Sequence, residues 1–446
     1  MSNPNSALSA SADSVTPSQL PSAIPSATPP NASPPSASPA PTLPLITDEM
    51  LLNCMQCGFC LPHCPTYSLT ELERYSPRGR IQLTRALFEE RLSAPEHLTD
   101  IADSINTCLG CLACQTACPA GVEYEKIFES AKTLVVQAPS LRSSWSVRLL
   151  SLAMRHLFMN PKRFKQASQL IAFSQRLPLE RLLPKPLRRM YALAPRFSPQ
   201  FFDETYKNPT SSSGESVLFL SGCIMNTAFA DVHHDSVALL ESVGLRVVVP
   251  EAQYCCGALH AHNGFLAEAK ELARRNLHAF AGSDWIAVNS AGCGAMMKHY
   301  PDLFSPDEPE HAQALAFSKR VKDLSQILLA CDFQPNKVIQ KVTYQDACHL
   351  EHGQKLREEP RELLRRKFGN VLELNSPQCC GSAGIYNLMQ PKFAEELLAE
   401  KIQAIARTGA ELVVSANPGC LLQLQYGLRQ AGSKVRALHL ATALRL

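Results

Sequence analysis

Over the last half of the chain, short apolar runs alternate with amphipathic stretches in a fixed order. "SVLFL" at 216–220, "RVVV" at 246–249 and "WIAV" at 285–288 have the length of buried strands, while "FAEELLAEKIQAIARTG" at 393–409 places apolar residues at helical spacing. Buried strands separated by helices predict parallel βα units, whose ligands gather beyond the carboxyl ends of the strands. The order then recurs. "SVLFLSGC" ends at Cys223, "LRVVVPEAQYCCG" carries Cys255 and Cys256, and "WIAVNSAGC" ends at Cys293; "KVTYQDAC" ends at Cys348, "NVLELNSPQCCG" carries Cys379 and Cys380, and "ELVVSANPGC" ends at Cys420. The offsets of 125, 124 and 127 residues mark an internal repeat, with all eight cysteines just past strand ends.

The first half reads differently. Residues 1–46 hold eleven Pro and eleven Ser with one charged residue, Asp13, and too little apolar surface to offset chain entropy, which predicts a disordered tail. In "SPRGRIQLTRALFEERL", Pro77 near the start and Ile81, Leu83, Ala86 and Leu87 predict a short helix. Between 141 and 200 twelve Lys/Arg face one acidic residue, Glu180, among apolar residues such as Leu149, Leu150, Leu152, Leu157 and Phe158. This is the pattern of basic amphipathic helices: a connector with a solvated basic face, or a docking surface for a partner or an anionic membrane. The expected organisation is a tail (1–46), a small helical module (47–135), a basic helical connector and linker (136–214), and two α/β repeats (215–335 and 336–446).

With 446 residues and 45% hydrophobic composition the chain can bury ordinary cores. A net charge of +3 and 7% aromatic residues give no ground for nucleic-acid binding. No apolar window is long enough to span a bilayer, and the best is cut by Arg148 and Arg155. The N-terminus lacks both a basic start and an apolar signal core, so a cytoplasmic protein with reduced thiols is expected, and its seventeen cysteines then serve metals or catalysis rather than disulfides.

Sixteen of those cysteines lie in repeated motifs, with Cys331 left over. "CMQCGFCLPHCP" at 54–65 and "CLGCLACQTACP" at 108–119 share the spacing C-x2-C-x2-C-x3-C-P, by which bacterial ferredoxins hold [4Fe-4S] clusters, the fourth cysteine serving the other cluster. Cys54, Cys57 and Cys60 would then share a cluster with Cys118, and Cys108, Cys111 and Cys114 with Cys64. Gly58 and Gly110 permit the tight turns this requires. Zinc is the alternative, but its motifs usually supply separated pairs. Cys223, Cys255, Cys256 and Cys293, and Cys348, Cys379, Cys380 and Cys420, form two further sets of four, either a second kind of metal or thiol site or, in one copy, packing alone. His260, His262, His349 and His352 lie near them and could ligate or shuttle protons, though loop histidines are commonly just hydrogen-bonded. Arg78 and Arg80 could raise a cluster's potential or simply occupy an exposed helix start. With no G-x-G-x-x-G and no G-x-x-x-x-G-K-[ST], the chain shows no flavin, nicotinamide or nucleotide site and no catalytic residue for removing hydride.

Two ferredoxin runs followed by two "CCG" modules, together with "CGFCLPHCPTY", "SPRGRIQL", "AGCGAMMKHY" and "CCGSAGIYN", resemble the iron-sulfur subunit of glycolate oxidase (glycolate dehydrogenase). The resemblance covers nearly everything after the tail. It implies FAD-binding partner subunits that oxidise glycolate to glyoxylate, electrons passed on toward the respiratory chain, and attachment, if any, at the periphery of the cytoplasmic face of the inner membrane. The family's cluster ligands carry over to Cys54, Cys57, Cys60, Cys64, Cys108, Cys111, Cys114 and Cys118. The chain is also similar to the iron-sulfur subunit of anaerobic glycerol-3-phosphate dehydrogenase and to heterodisulfide reductase, where "CCG" cysteines hold a disulfide-cleaving cluster. It departs from the latter where a C-x-x-C would end the motif: Cys293 precedes "GAM" and Cys420 precedes "LLQ".

Overall fold

The computed structural model describes residues 46–446 except 90, 93–94, 139–144, 178–183, 185–187, 189–190, 199, 211–213 and 377. The Ser/Pro-rich stretch thus lies outside the described residues, apart from Ile46.

The first folded part is helical. Ser76 caps the helix Pro77–Phe88, its hydroxyl accepting from the Gly79 N–H at 3.0 Å. Ile81 of this helix meets Ile101 and Ile105 of Pro95–Asn106 and Ile127, Phe128 and Ala131 of Tyr124–Gln137 in one small core, which also takes in Cys114. The two cysteine runs are the loops this core anchors. Within the connector, Trp145–Leu152 is helical and continues as a π-helical stretch Ala153–Phe158, followed by the helix Pro161–Ser174.

Each repeat builds its own four-stranded parallel sheet. In the first, β1 (Ser216–Phe219), β2 (Arg246–Val248), β3 (Trp285–Val288) and β4 (Val321–Asp323) stand in the order β2-β1-β3-β4. In the second, β5 (Val342–Tyr344), β6 (Val371–Leu372), β7 (Leu412–Ser415) and β8 (Arg436–His439) repeat that order as β6-β5-β7-β8. The fourth strands, "VKD" and "RALH", are short, carry charge and end in no cysteine, so the repeat read from three strand-to-cysteine units passes over them. The central strands are dry, with Val217, Phe219, Ile286, Ala287, Leu412, Val413 and Val414 fully buried.

The repeats share a boundary at the carboxyl ends of their strands. The Ala291 N–H donates to the Ala416 carbonyl (3.1 Å) and the Gly292 N–H to Asn417 Oδ1 (3.2 Å). His439 Nε2 meets the Asn289 carbonyl at 2.9 Å. One continuous apolar cluster runs from Val217 and Leu240 to Leu412 and Leu444. Among the described residues no helix is long and apolar enough to cross a membrane.

Candidate iron-sulfur and thiol sites

The two cysteine runs fold into loops of the same backbone shape. In each, the second and fourth residues after the leading cysteine are left-handed: Gln56 (φ 57°) and Gly58 (φ 87°) after Cys54, Gly110 (φ 61°) and Leu112 (φ 64°) after Cys108. Each run places glycine at one of the two left-handed positions, and not the same one, so Gly58 and Gly110 relieve different turns of one shape.

Two adjoining cavities lie inside these loops. Cys54, Cys57, Cys60 and Cys118 line the first; Cys64, Cys108 and Cys111 line the second; Cys114 stands in the wall between them with Pro77 and Tyr124. The fourth cysteine of each run is therefore delivered to the other run's cavity. Pro65 and Pro119 follow these cysteines, and Pro65 opens the helix Pro65–Thr70 that turns the chain away.

The cavities differ in charge and depth. Arg78 lies at the first, partly exposed, donating to the Gln56 carbonyl (2.9 Å) and pairing with Glu73 (2.7 Å). Arg80 lies at the second and is fully buried, its guanidinium donating to the Ser104 carbonyl (2.9 Å), Thr66 Oγ1 (3.0 Å) and Cys64 Sγ (3.8 Å). An exposed helix start thus describes Arg78 and fails for Arg80, which points inward because its helix packs that face on the core. Burial opposes the Arg80 charge, but the thiols of Cys108 and Cys64 and the Tyr124 hydroxyl more than offset this and hold it protonated. Burial also pushes Cys60 up to about 11 and Cys111 and Cys114 well above the ordinary thiol range. Thiolates at these depths need positive charge beside them, as iron would supply. Tyr124 Oη (3.5 Å) and the Gly110 N–H (3.4 Å) add hydrogen bonds to Cys108 Sγ. Among the described residues no three His, Cys, Asp or Glu side chains are arranged to hold one metal ion. The cysteines surround cavities rather than a point, a set that suits a four-iron cluster better than a zinc ion.

All eight cysteines of the repeats line one further cavity of about 760 Å³, which Cys108 and Leu109 also border. Cys223 and Cys255 stand 3.6 Å apart. In each copy the first cysteine of the "CCG" pair accepts hydrogen bonds from neighbouring thiols, Cys255 from Cys223 and Cys256, Cys379 from Cys348 and Cys380, and is held well below the ordinary thiol value. The glycine after each pair is left-handed, and at Gly381 an added Cβ would come within 2.8 Å of the Ala394 carbonyl.

Beyond the sulfurs the copies diverge. Asn276 donates to the Cys255 carbonyl (3.0 Å) and Tyr300 Oη to the Cys256 carbonyl (2.9 Å), with His260 beside Cys255. At the position equivalent to Asn276, 125 residues on, the second copy has a buried lysine, Lys401, which donates to the Ser376 carbonyl at 2.6 Å. The repeat offset pairs the two positions, but only the packing of the helix Pro391–Thr408 buries the lysine. Of the other three histidines, His262 pairs with Glu129 (2.9 Å) and neighbours His349, ring centroids 5.0 Å apart, His349 lies 3.6 Å from Cys348, and His352 contacts Thr116 Oγ1 (3.1 Å). Cys331 caps a helix end apart from all these cavities. No cysteine is joined in a disulfide.

The family of 4Fe-4S dicluster domains matches residues 50–122, and that of the cysteine-rich domain, CCG, matches twice, at 217–298 and 342–425. The chain is 39% identical over 419 residues to a Bacillus subtilis (strain 168) protein described as "Probable glycolate oxidase iron-sulfur subunit", covering 88% of this chain and 93% of that one. It is 29% identical over 392 residues to the glycolate oxidase iron-sulfur subunit of Escherichia coli (strain K12), covering 85% and 91%. Lactate utilization protein A of Geobacillus kaustophilus (strain HTA426) is 32% identical over 234 residues, 51% of this chain and 97% of that protein.

Proposed function

The chain belongs to the family of glycolate oxidase iron-sulfur subunits, and from that premise we propose that it carries electrons for a complex oxidising glycolate to glyoxylate, receiving them from FAD-bearing partner subunits. The observation that carries this reading is the pair of adjoining, cross-supplied cysteine cavities. In it Cys54, Cys57, Cys60 and Cys118 hold one [4Fe-4S] cluster, and Cys64, Cys108, Cys111 and Cys114 hold the other. A bound cluster supplies one-electron transfer and cannot itself accept hydride, so substrate oxidation falls to the flavin of the partners.

The chain's own residues give the relay its direction. Cys57 is exposed between Met55 and Phe59, 69% and 65% exposed, an apolar rim on which a flavoprotein can seat. The second cavity lies deeper, and Cys108 and Leu109 connect it to the cavity of the repeats. Tyr124, Thr66 and Arg80 hold thiol positions and keep water from them. The organisation taken with this reading is a 47–135 dicluster module, a 136–214 connector, and repeats at 215–335 and 336–446, working at the cytoplasmic face of the membrane toward a respiratory-chain acceptor.

The test is to purify the complex without oxygen. About eight irons per chain are expected from two four-iron clusters, more if the repeats are loaded, and glycolate should bleach the chain's visible absorbance only when flavoprotein partners are present. A colourless zinc protein, or bleaching by glycolate with this chain alone, overturns the proposal. The lactate utilization relatives motivate a second reading, in which the complex oxidises another 2-hydroxy acid; bleaching by lactate in place of glycolate would select it.

A further inference from the structure

The cavity shared by the two repeats has features that sulfur ligation does not use. Its volume of about 760 Å³ falls in the range typical of small-molecule sites, roughly 300–1,000 Å³. Leu150, Phe158, Ile171, Phe197, Leu388 and Met389 give it an apolar flank, and Ile171, Leu388 and Met389 are themselves solvent-exposed, so the cavity opens through an apolar rim. Beside that rim the connector exposes Leu170 and Phe173, 70% and 60% exposed.

On the inner side stands His262. Its Nδ1 is 2.9 Å from Glu129 Oε1, while its Nε2 is buried with no hydrogen-bond partner. Glu129 lies one turn from Glu125 on the helix Tyr124–Gln137, both carboxylates nearly buried. Glu125 Oε2 is 3.8 Å from His299 Nε2, and His299 Nδ1 is 3.0 Å from Asp302, which pairs with Lys126 at 3.1 Å. His299 is 36% exposed in its side chain. A file of four titratable groups, His262, Glu129, Glu125 and His299, thus runs from the cavity to solvent across the contact between the helical module and the first repeat.

We infer that the cavity binds a quinone-class acceptor and that the file from His299 through Glu125 and Glu129 to His262 supplies its protons. The inference rests on the electron-transfer reading above and extends it to the exit of the relay. The apolar rim favours a planar, lipid-soluble ring over a polar disulfide, and a quinone carbonyl oxygen gives the unpartnered His262 Nε2 a mate. The balance is quinone plus two electrons plus two protons to hydroquinone: each carbonyl oxygen gains one O–H bond, and the reduced chain delivers two electrons singly. His262 gives its Nε2 proton to one carbonyl oxygen and is left as the Nδ1–H tautomer; turning of the ring presents that second proton to the cavity while the freed nitrogen takes one from Glu129, refilled through Glu125 and His299 from solvent, so each O–H bond formed matches one N–H broken.

The electrostatics are those of a proton-holding path. Burial alone would lower His262, but the hydrogen bond and charge of Glu129, with Glu125 behind it, raise it above its ordinary value against Lys132. His349, its ring centroid 5.0 Å from that of His262, is the remaining titratable neighbour. Asp302, then Glu125 and Glu129, hold His299 up to about 9 against burial. Burial and the repulsion of Glu129 raise Glu125, opposed by His299 and His262.

The experiment uses the full, cluster-loaded chain, reduced photochemically and mixed with either a short-chain benzoquinone or ferricyanide, with reoxidation followed by visible absorbance. Ferricyanide takes an electron and no proton, so the ratio of the two rates reads the proton path. Glu129→Gln should lower the quinone-to-ferricyanide ratio by about tenfold or more and enlarge the solvent deuterium effect on the quinone rate alone. Glu129→Asp, which keeps a carboxyl, should restore part of it, and Glu125→Gln provides a second variant should the first fail to fold. A ratio that stays within about twofold of wild type in both Gln variants, or calorimetry showing that the chain binds no quinone, overturns the inference. Reoxidation by a small organic disulfide that no quinone inhibits overturns the acceptor class. Photoreduction needs neither glycolate nor a flavoprotein, so a failure of glycolate to reduce the complex would remove the proposed function and leave this measurement decisive.

Discussion

Cys57 and Cys111 hold the same place in two loops of one backbone shape, yet the first is exposed and the second buried. The difference comes from what lies above each loop. Nothing described covers Met55 and Phe59, whereas the second loop sits under the second repeat: Tyr386 Oη donates to the Thr107 carbonyl (2.9 Å), His352 meets Thr116, and the Cys111 thiol feels Cys379. The accompanying cations follow the same division, Arg78 in an exposed ion pair and Arg80 in a dry socket. A repeated motif thus supplies two copies of one loop, while its surroundings leave one open and cover the other.

The strongest way to break this comparison is to remove the cations. Arg80→Ala strands the Ser104 carbonyl and the Cys64 thiol in the interior and should cost about 3–5 kcal/mol in stability, with loss of iron from the second site. Arg78→Ala should cost no more than about 1 kcal/mol, since its partner Glu73 is half exposed. Thermal unfolding with iron analysis measures both, and equal losses would mean that depth does not separate the loops.

Ligand exchange sharpens the comparison next. Cys118→Ser should perturb the EPR signal that Cys57→Ser perturbs, and Cys64→Ser should group with Cys111→Ser. A Cys118→Ser spectrum matching that of Cys111→Ser would show that each run feeds its own cluster.

The smallest effects are at the left-handed residues. Gly58→Ala, at φ 87° with an added Cβ 3.2 Å from Arg78 Nη1, should destabilise by about 1 kcal/mol. Gln56→Gly should stabilise by a fraction of that, roughly 0.5 kcal/mol, because it relieves the corresponding strain at φ 57°. Denaturant midpoints decide it, and a stabilising Gly58→Ala would count against the shared loop shape.

Much of this was legible before any coordinates. The alternation of apolar strands and amphipathic helices foretells parallel sheets, and the cysteine spacing foretells two loops of like shape, because such patterns are local or recur along the chain. Arg80 and Lys401 were not legible as interior cations. In sequence they are ordinary basic residues on helices, and only the packing of those helices turns them inward. The short fourth strands were missed for the opposite reason: β4 and β8 earn their place by pairing with β3 and β7, while their own composition says little.

Sequence alone determined the inventory: two loops with eight cysteines, two repeats with eight more, and the types of element that carry them. Local periodicity and ligand spacing suffice for that, since they act over a few residues. The tertiary structure decided which cysteines share a cavity, which loop is covered, and that Glu125 and Glu129 of one module meet His299 and His262 of another. Those outcomes depend on contacts between segments from 44 residues apart, as for Cys64 and Cys108, to 279 apart, as for Thr107 and Tyr386, brought together by burial of apolar surface that has no preferred partner until the whole chain packs.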